Sequence, residues 1–175
     1  SPKVTAQAIG QDIDAQELGG WEMHAQHSGL VDQFVDTDEE AIEAIRHFLS
    51  YMPSHAKEAP PVSAARRPAT DPARLGELVP LDRAKVYNMY KVIEAVADAG
   101  SFFDLKKRFA PSLITGLARI DGRAVGIMAN NPMHKAGAVD YDACDKAISF
   151  LVLCDSFHLP VIQLVDQPGF LVGLQ

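Results

Sequence analysis

The chain has 175 residues, which is enough for one domain or for two small ones. With 47% hydrophobic and 22% charged residues, it has the composition of a globular protein that can bury a core. Its net charge of −7 argues against a nucleic-acid-binding protein, and it contains no run of the roughly 20 apolar residues that a membrane span needs.

Residues 1–52 contain one clearly signalled helix, in the stretch FVDTDEEAIEAIRHFLSYMP. We predict the end of a strand before it, and Thr37 with Glu40 matches a capping box at its start. Four apolar residues recur at helical spacing and predict a buried stripe: Ile42, Ile45, Phe48 and Leu49. One helix buries too little surface to form the core of an independent domain, so we expect residues 1–52 to be the tail of a larger domain.

Residues 53–80 hold six prolines, at positions 53, 60, 61, 68, 72 and 80. Proline lacks a backbone N–H and fixes φ, so this composition predicts a linker or an extended connection that wraps a surface.

The second piece, residues 81–175, begins with an amphipathic helix, RAKVYNMYKVIEAVADAG, with Gly100 as its expected C-cap. The segments SLITGLARI and RAVGIMAN follow on either side of Asp121-Gly122. Asp-Gly is a favoured two-residue turn, so these segments predict a β-hairpin.

The stretch ACDKAISFLVLCDSFHLP then predicts a helix, and VIQLVD predicts a short strand buried in a parallel sheet. Strand, helix and strand form a βαβ unit, whose ligands bind beyond the carboxyl ends of the strands. Two loops leave those ends, 130–141 and 166–173. Cys144 and Cys154 lie about 15 Å apart along the helix, too far for a disulfide, so we expect free, buried thiols and a reducing compartment.

The side chains of the two loops do not form a known catalytic arrangement. The sequence has no Ser-His-Asp order, no Walker loop, no G-x-G-x-x-G and no Cys/His spacing typical of zinc. His24 and His27 could share a helix face, but a third metal ligand is missing from the pattern. Exposed glycine N–H groups could stabilise an oxyanion, as enolate chemistry on thioesters requires, although a tight packing turn explains such a glycine equally well.

Three long segments carry a resemblance to a known family: ELGGWEMHAQHSGLVD, LITGLARIDGRAVGIMANNP and KAGAVDYDACDKAISFLVLCDSFHLPVIQLVDQPGFLVG. They resemble the carboxyltransferase (β) subunit of biotin-dependent acyl-CoA carboxylases of the propionyl-CoA and methylcrotonyl-CoA type. The stretch LVPLDRAKVYNMYKVIEAVADAGSFFDL is similar to the opening of that family's second half.

The resemblance implies an α/β fold of the crotonase (ClpP/crotonase-like) type, present in part as an internal fragment. Residues 1–52 would be the C-terminal tail of the N-terminal carboxyltransferase domain, 53–75 a linker, and 76–175 the start of the C-terminal domain with its first βαβ half. The fragment alone is expected to be inactive.

The resemblance also implies an activity, which is transfer of CO₂ from carboxybiotin to the α-carbon of a propionyl-CoA-like acyl-CoA. Biotin would arrive on a separate carrier domain or subunit, with a biotin carboxylase as partner, in a homo-oligomer that the family suggests is a hexamer. The compartment would be the bacterial cytoplasm or the mitochondrial matrix. Two alternatives stay open: a crotonase-like CoA-thioester decarboxylase or hydratase, and a non-catalytic oligomer-interface module.

Both loops carry candidate site residues, and the resemblance requires no metal. The length of loop 130–141 and its place at a strand's carboxyl end favour function, so the N–H groups of Gly137 and Ala138 would face the biotin side as oxyanion donors, with His134 and Lys135 at the rim. In the second loop, the biotin-binding residues would be Gln167, Pro168, Gly169 and Phe170, although a tight turn whose phenylalanine plugs the core is an alternative interpretation of Pro168-Gly169-Phe170.

The sequence departs from the family at several loop positions. Relatives often carry valine at Gln167, proline at Val172, an apolar residue at Lys135, and Asn-Gln-Pro at Asn130-Asn131-Pro132. The changes at Gln167 and Lys135 leave the identity of the acyl group open.

Overall fold

The four strands of the described residues form one sheet. The structure is a computed structural model that describes residues 1–82 and 85–172. The strands are Phe103–Leu105 (β1), Leu113–Ile120 (β2), Arg123–Asn130 (β3) and Val161–Leu164 (β4), and they lie in that order across the sheet. The pairs β1/β2 and β2/β3 are antiparallel, whereas β3/β4 is parallel.

The β2–β3 hairpin is confirmed as predicted. Ile120 pairs with Arg123, and the two residues between them have positive φ, 51° at Asp121 and 75° at Gly122. Both are the left-handed conformations that a type I′ turn needs. The buried carboxylate of Asp98 accepts hydrogen bonds from both turn N–H groups, from Asp121 at 3.0 Å and from Gly122 at 2.8 Å.

Helices flank the sheet. The α-helices of the described residues are Pro2–Ile9 (α1), Ala15–Gly19 (α2), Asp38–Leu49 (α3), Leu75–Leu78 (α4), Met89–Val96 (α5) and Tyr141–Ser156 (α6). A π-helical turn lies at Met23–His27, and turns of 3₁₀-helix lie at Pro72–Arg74 and Lys135–Gly137. The capping box before α3 is present, because Thr37 Oγ1 accepts from Glu40 N–H while Glu40 Oε2 accepts from Thr37 N–H, both at 3.2 Å.

The core lies on both faces of the sheet. On one face, Phe150 and Cys154 of α6 pack with Leu117 and Met128, and Phe48 of α3 adds a half-buried ring. The residues buried on the other face come from α5, the residue after it and the hairpin: Met89, Ile93, Ala97, Ile114, Ala118, Val125, Ile127 and Ala129. The helix α6 connects two parallel strands, so the predicted βαβ unit is confirmed.

The two cysteines are free, as expected, but only one is buried. Cys154 is 1% exposed, and Cys144 is half-buried. Burial raises the pKa of the Cys154 thiol to about 11, so this thiol stays protonated and packs as a small apolar group.

The predicted helix that was to end at Gly100 is shorter than expected. It begins at Met89 and ends at Val96, with the extended residue Ala97 after it. Residues 97–101 are not helical, because the Asp98 carboxylate accepts hydrogen bonds from the N–H groups of the hairpin turn. Gly100, at φ 70°, lies in the turn that follows and is not a helix cap.

Three other predictions of burial or strand structure were wrong for the described residues. In α3, Ile42, Ile45 and Leu49 are 51%, 58% and 57% exposed, so the apolar stripe is covered only near Phe48. The strand β4 lies at the sheet edge and is exposed at alternate positions. No strand precedes α3 at 34–36, where the chain instead packs the Phe34 ring on Trp21 at a centroid distance of 4.1 Å.

The first 52 residues contact the sheet through its β1 end. Tyr51 is 1% exposed, and its hydroxyl donates to Ser101 O. The Arg108 guanidinium lies 4.8 Å from the centre of the Trp21 ring. Further on, the extended proline-rich segment lies against the hairpin through a bridge between Val62 and Arg123, as the wrapping interpretation predicts.

A buried lysine joins α6 to the loop after β1. Lys146 is 1% exposed, and its Nζ donates to Lys106 O at 2.9 Å and to Phe109 O at 2.8 Å. Burial lowers the pKa of Lys146 to about 8, although the nearby Asp104 carboxylate opposes that shift. The buried ammonium group is therefore paired with two backbone carbonyl groups of the loop after β1.

We predict that Asp98→Ala destabilises the protein by about 2–4 kcal/mol, because two N–H groups of the hairpin turn lose a charged acceptor. Urea unfolding monitored by tryptophan fluorescence measures this loss. Asp145→Ala is the control, since this exposed carboxylate on α6 makes no hydrogen bond within residues 1–82 and 85–172, and it should change stability by less than about 0.5 kcal/mol. Equal effects of the two substitutions would contradict a capping role for Asp98.

Candidate functional site

The two loops at the carboxyl ends of β3 and β4 are hydrogen-bonded to each other. Val139 N–H donates to Gly169 O at 3.2 Å, and Leu171 N–H donates to Val139 O at 2.9 Å. These bonds form a short parallel bridge between Val139 and Phe170. The loops therefore form one connected surface, at the edge where ligands bind in sheets of this kind.

Asn130, the last residue of β3, forms side-chain hydrogen bonds with both loops. Its buried side chain donates from Nδ2 to Gly137 O at 2.9 Å and to Gln167 Oε1 at 3.4 Å. Its Oδ1 accepts from Asp166 N–H at 3.3 Å. One amide side chain thus contacts both loops, a role that the sequence pattern did not reveal.

Gly137 is a point of close approach between the loops. Its φ is 78°, and a Cβ placed there would lie 2.5 Å from Asp166 O and 3.3 Å from Asn130 Cβ. Lys135 and Ala136, just before it, also have positive φ, at 49° and 52°. Any side chain at position 137 would push the second loop away, so this position requires glycine.

The N–H groups of Gly137 and Ala138, which we expect to stabilise an oxyanion, already donate hydrogen bonds to carbonyl groups of their own loop. Gly137 N–H donates to His134 O at 2.9 Å, and Ala138 N–H donates to Lys135 O at 3.0 Å. Both bonds arise because residues 135–137 form a turn of 3₁₀-helix, which uses its own donors. The expectation that these two N–H groups are free is therefore corrected.

Lys135 is held by an ion pair within its own loop. Its Nζ lies 2.5 Å from Asp140 Oδ2, and Asp140 Oδ1 accepts from Ala143 N–H at 2.9 Å as the N-cap of α6. Burial by itself would raise the pKa of Asp140, but the hydrogen bonds from Lys135 and Ala143 hold that pKa below its ordinary value. Lys135 thus fixes the loop to the start of α6, while the neighbouring His134 is exposed.

A cleft of about 560 Å³ opens beside the loops. Tyr87 lies in its wall, and the Tyr87 hydroxyl donates to Asp166 Oδ2 at 2.7 Å. Burial, together with the Asp166 carboxylate, raises the pKa of Tyr87 to about 12, so the hydroxyl remains a donor at neutral pH. The described residues that line the cleft are Val79, Pro80, Asp82, Lys85, Val86, Tyr87, Pro132, Ala136, Asp166, Gln167 and Pro168.

The structure places the four expected residues of the second loop in different positions. Gln167 and Pro168 line the cleft, whereas Gly169 and Phe170 lie beyond its described lining. The Phe170 side chain is 66% exposed, so it does not plug the core formed by the described residues. Gly173, the last residue of the quoted loop motif, lies outside the described residues.

The described residues give no sign of a metal site or a membrane span. No three of their His, Cys, Asp or Glu side chains lie close enough together to hold a metal ion. His24 instead shares a hydrogen bond of 3.0 Å with Ser28 Oγ. Within the same residues, no helix is both long and apolar enough to cross a membrane.

Comparison with known proteins gives a match along the whole chain. Residues 1–175 match the carboxyl transferase domain family. The chain is 40% identical over 176 residues to the propionyl-CoA carboxylase carboxyltransferase subunit of Haloferax mediterranei. It is 37% identical over 180 residues to the biotin-dependent long chain acyl-coenzyme A carboxylase beta4 subunit of Mycobacterium tuberculosis. These alignments cover 98% and 99% of this chain, and 34% of each relative.

A solved structure shows the same fold. Transcarboxylase 12S, in a crystal structure with methylmalonyl-coenzyme A and methylmalonic acid bound, superposes with a TM-score of 0.94 at 37% identity. The match covers 100% of this chain and 34% of that one. The chain therefore belongs to the carboxyl transferase domain family, and it has part of that family's crotonase-like α/β fold. It spans about a third of the length of the relatives that it matches.

We predict that Gly137→Ala destabilises the loop pair by about 1–3 kcal/mol, because it adds both backbone strain and a close contact with Asp166 O. Gly100→Ala is a matched control, since Gly100 has φ 70° but no atom within 4 Å of an added Cβ. Urea unfolding of both variants separates the strain from the contact. If Gly137→Ala costs no more than Gly100→Ala, the close approach of the two loops is contradicted.

Proposed function

We propose that this chain is part of a carboxyltransferase that moves CO₂ from carboxybiotin to the α-carbon of an acyl-CoA of the propionyl-CoA type. The observation that carries the proposal is the match over all 175 residues to the carboxyl transferase domain family. Support also comes from transcarboxylase 12S, which shares the fold and was crystallised with methylmalonyl-coenzyme A.

The proposal assigns the chain to two domains of the complete protein. Residues 1–52 would end the N-terminal carboxyltransferase domain, 53–75 would connect the domains, and 76–175 would begin the C-terminal domain. The extended path of the connection along the hairpin, through the bridge between Val62 and Arg123, supports this division.

The described cleft fits the ring system of biotin. The ring is apolar on its sulfur side and polar at its ureido group, and the cleft has both kinds of wall. Pro132, Pro168 and Val86 supply apolar surface, whereas Asp166 and Gln167 supply polar groups. Biotin, when bound, would supply the carboxyl group that is transferred.

The residues of this chain would bind, orient and exclude water. Ser, Cys and His are absent from the described lining of the cleft, so it has no Ser–His or Cys–His pair of nucleophile and base. Catalysis would then depend on hydrogen-bond donors aimed at developing negative charge in a water-excluded site.

Backbone donors for that role would come from the second loop. The N–H groups of Gly169 and Phe170 make no hydrogen bond to residues 1–82 or 85–172, which makes them better candidates than those of Gly137 and Ala138. Gly137 and Ala138 would instead set the shape of the first loop, and Pro168 and Phe170 would provide apolar surface near the ring.

The proposed partners follow from the same proposal. The complete protein would work with a biotin carboxylase and a biotin carrier domain or subunit, and it would form a homo-oligomer. Transcarboxylase 12S assembles as a hexamer in its crystal structure, which supports a hexamer here. The free thiols of Cys144 and Cys154 are compatible with a reducing compartment, which would be the bacterial cytoplasm or the mitochondrial matrix.

The test is an assay of the complete protein with its biotin carboxylase and carrier, ATP, labelled bicarbonate and propionyl-CoA. We expect labelled methylmalonyl-CoA, and we expect avidin, which sequesters biotin, to abolish its formation. Decarboxylation or hydration of a CoA thioester that avidin does not inhibit would instead support a crotonase-like decarboxylase or hydratase. Oligomer formation on gel filtration without turnover of any acyl-CoA would support an interface module.

A further inference from the structure

A second cavity, of about 270 Å³, lies at the turn end of the β2–β3 hairpin, opposite to the end that carries the two loops. A water molecule takes up about 30 Å³ in the liquid, so the cavity has room for a tetrahedral anion and several waters. The proposed carboxyltransferase chemistry does not use this cavity. The polar residues of its described lining on which the inference depends are His47, Tyr51, Ser63, Arg66, Asp98 and Arg119.

Arg119 is held in the wall of this cavity by three backbone carbonyl groups. Its Nη1 donates to Pro61 O and to Gly122 O, both at 3.0 Å, and its Nη2 donates to Ser50 O at 2.6 Å. A guanidinium group has five N–H donors. The Nε hydrogen and one Nη2 hydrogen therefore have no acceptor among residues 1–82 and 85–172. The positive charge is fixed in position, with two donors that no described residue uses.

A second guanidinium group comes from the proline-rich segment. Arg66 is exposed, lines the cavity and makes no hydrogen bond or ion pair with the residues that the structure describes. The carboxylate in the described lining is that of Asp98, and both of its oxygens accept from N–H groups of the hairpin turn. The charges of Arg66 and Arg119 therefore exceed that of Asp98, whose oxygens are already paired.

His47 adds a third donor when its ring is protonated. The Tyr51 hydroxyl uses its only hydrogen to donate to Ser101 O, so His47 Nε2, 2.8 Å from this hydroxyl, must be the donor in their hydrogen bond. His47 Nδ1 then carries a hydrogen only in the charged ring, and it has no hydrogen-bond partner within the described residues.

The surroundings of His47 favour its neutral form. Burial, and after it the Arg119 guanidinium, lower the pKa of His47, so the ring is neutral at neutral pH. An anion beside the ring would act against both causes, because it favours the charged form. The titratable and charged groups around the ring are Tyr51 of α3, Arg66 of the proline-rich segment, Asp98 after α5 and Arg119 of β2, and the Phe103 ring of β1 packs on it edge-on.

We propose that this cavity binds a phosphate group, with Arg66 and Arg119 donating to its oxygens and His47 adding a donor once it is protonated. Guanidinium N–H groups match the oxygens of a phosphate group in both geometry and charge. The bound group would connect α3, the proline-rich segment and the hairpin, which are distant in sequence. This inference is independent of the function proposed above.

The test is isothermal titration calorimetry of the complete protein with inorganic phosphate and with sulfate, at an ionic strength kept constant with chloride. We expect both anions to bind. Arg66→Gln should weaken the binding of each by about tenfold, because charged hydrogen bonds to the anion are lost. Arg67→Gln is the matched control, since Arg67 is the next residue, is exposed and lies outside the described lining of the cavity. It removes the same charge and should leave the affinity unchanged.

The role of His47 is tested with sulfate, which stays a dianion over the pH range in which histidine titrates. Sulfate affinity should rise several-fold from about pH 8 to about pH 6, because the bound anion favours the charged ring. His47→Gln keeps an N–H donor for Tyr51 but does not take up a proton, so it should remove this rise.

Adenosine 3′,5′-bisphosphate shows whether the phosphate group is free or part of a nucleotide. An affinity more than about tenfold above that of inorganic phosphate, lost in Arg66→Gln, would support a nucleotide phosphate as the ligand. Equal affinities of the two compounds, both lowered in Arg66→Gln, would support the free ion.

Three results would overturn the inference. The first is a wild-type protein that binds neither phosphate nor sulfate, and the second is an equal loss of affinity in Arg66→Gln and Arg67→Gln. The third, a pH dependence of sulfate binding that persists in His47→Gln, would contradict the assignment of the third donor to His47. The carboxylation assay is a separate measurement, so failure here would leave the proposed function intact.

Discussion

The arrangement of the candidate site depends on one buried amide, that of Asn130. It lies at the carboxyl end of β3, where the first loop leaves the sheet, and it contacts Gly137 O in that loop. Its other two partners, Asp166 N–H and Gln167 Oε1, belong to the second loop. A buried polar side chain is costly unless each of its donors and acceptors is paired, and here both hydrogens and the oxygen are used. The relative position of the loops therefore depends on this side chain, together with the backbone bridge between Val139 and Phe170.

The two ends of the β2–β3 hairpin are stabilised in the same way. At the turn, the Asp98 carboxylate accepts from two backbone N–H groups, and at the open end, Asn130 binds groups of both loops. Each is a buried side chain at 6% or 2% exposure, and each connects segments that are distant in sequence. The turn of the hairpin supports stability, whereas the open end positions the cleft. At the open end, the backbone at Gly137 approaches the second loop closely, with no side chain between the two loops. This contact agrees with the role of the open end in positioning the cleft.

Much of the fold could be predicted because its signals are local. The Asp121-Gly122 turn, the capping box at Thr37 and the order of strand, helix and strand each depend on residues that are neighbours in sequence. The short strand β1 and the early end of α5 could not be predicted, because both depend on pairing with residues of the hairpin. Exposure of the apolar residues of α3 was missed for another reason. Periodicity shows that Ile42 and Ile45 share a face with Phe48, but not how much of that face is covered.

The sequence predicted which loops form the candidate site, but it did not predict the hydrogen bonds within them. The rule that ligands bind at the carboxyl ends of parallel strands located both loops, and the cleft does lie there. The N–H groups of Gly137 and Ala138 were expected to be free because glycine-rich loops often present such donors, but a turn of 3₁₀-helix uses them. The partnership of Tyr87 with Asp166 spans 79 positions in sequence and is visible only in the folded chain.

The most direct test of the role of Asn130 is amide hydrogen exchange of the complete protein with Asn130→Ala. We expect the N–H groups of Val139 and Leu171, which bridge the two loops, to exchange at least about tenfold faster than in the wild type. Amides of the β2–β3 ladder, such as Leu117, should be unchanged. Asn131→Ala is the matched control, because that neighbouring buried amide donates to Pro111 O and accepts from Met133 N–H within its own loop, but makes no hydrogen bond to the second loop as far as residue 172. Unchanged exchange at Val139 and Leu171 in Asn130→Ala would contradict the claim that this one side chain holds the loops together.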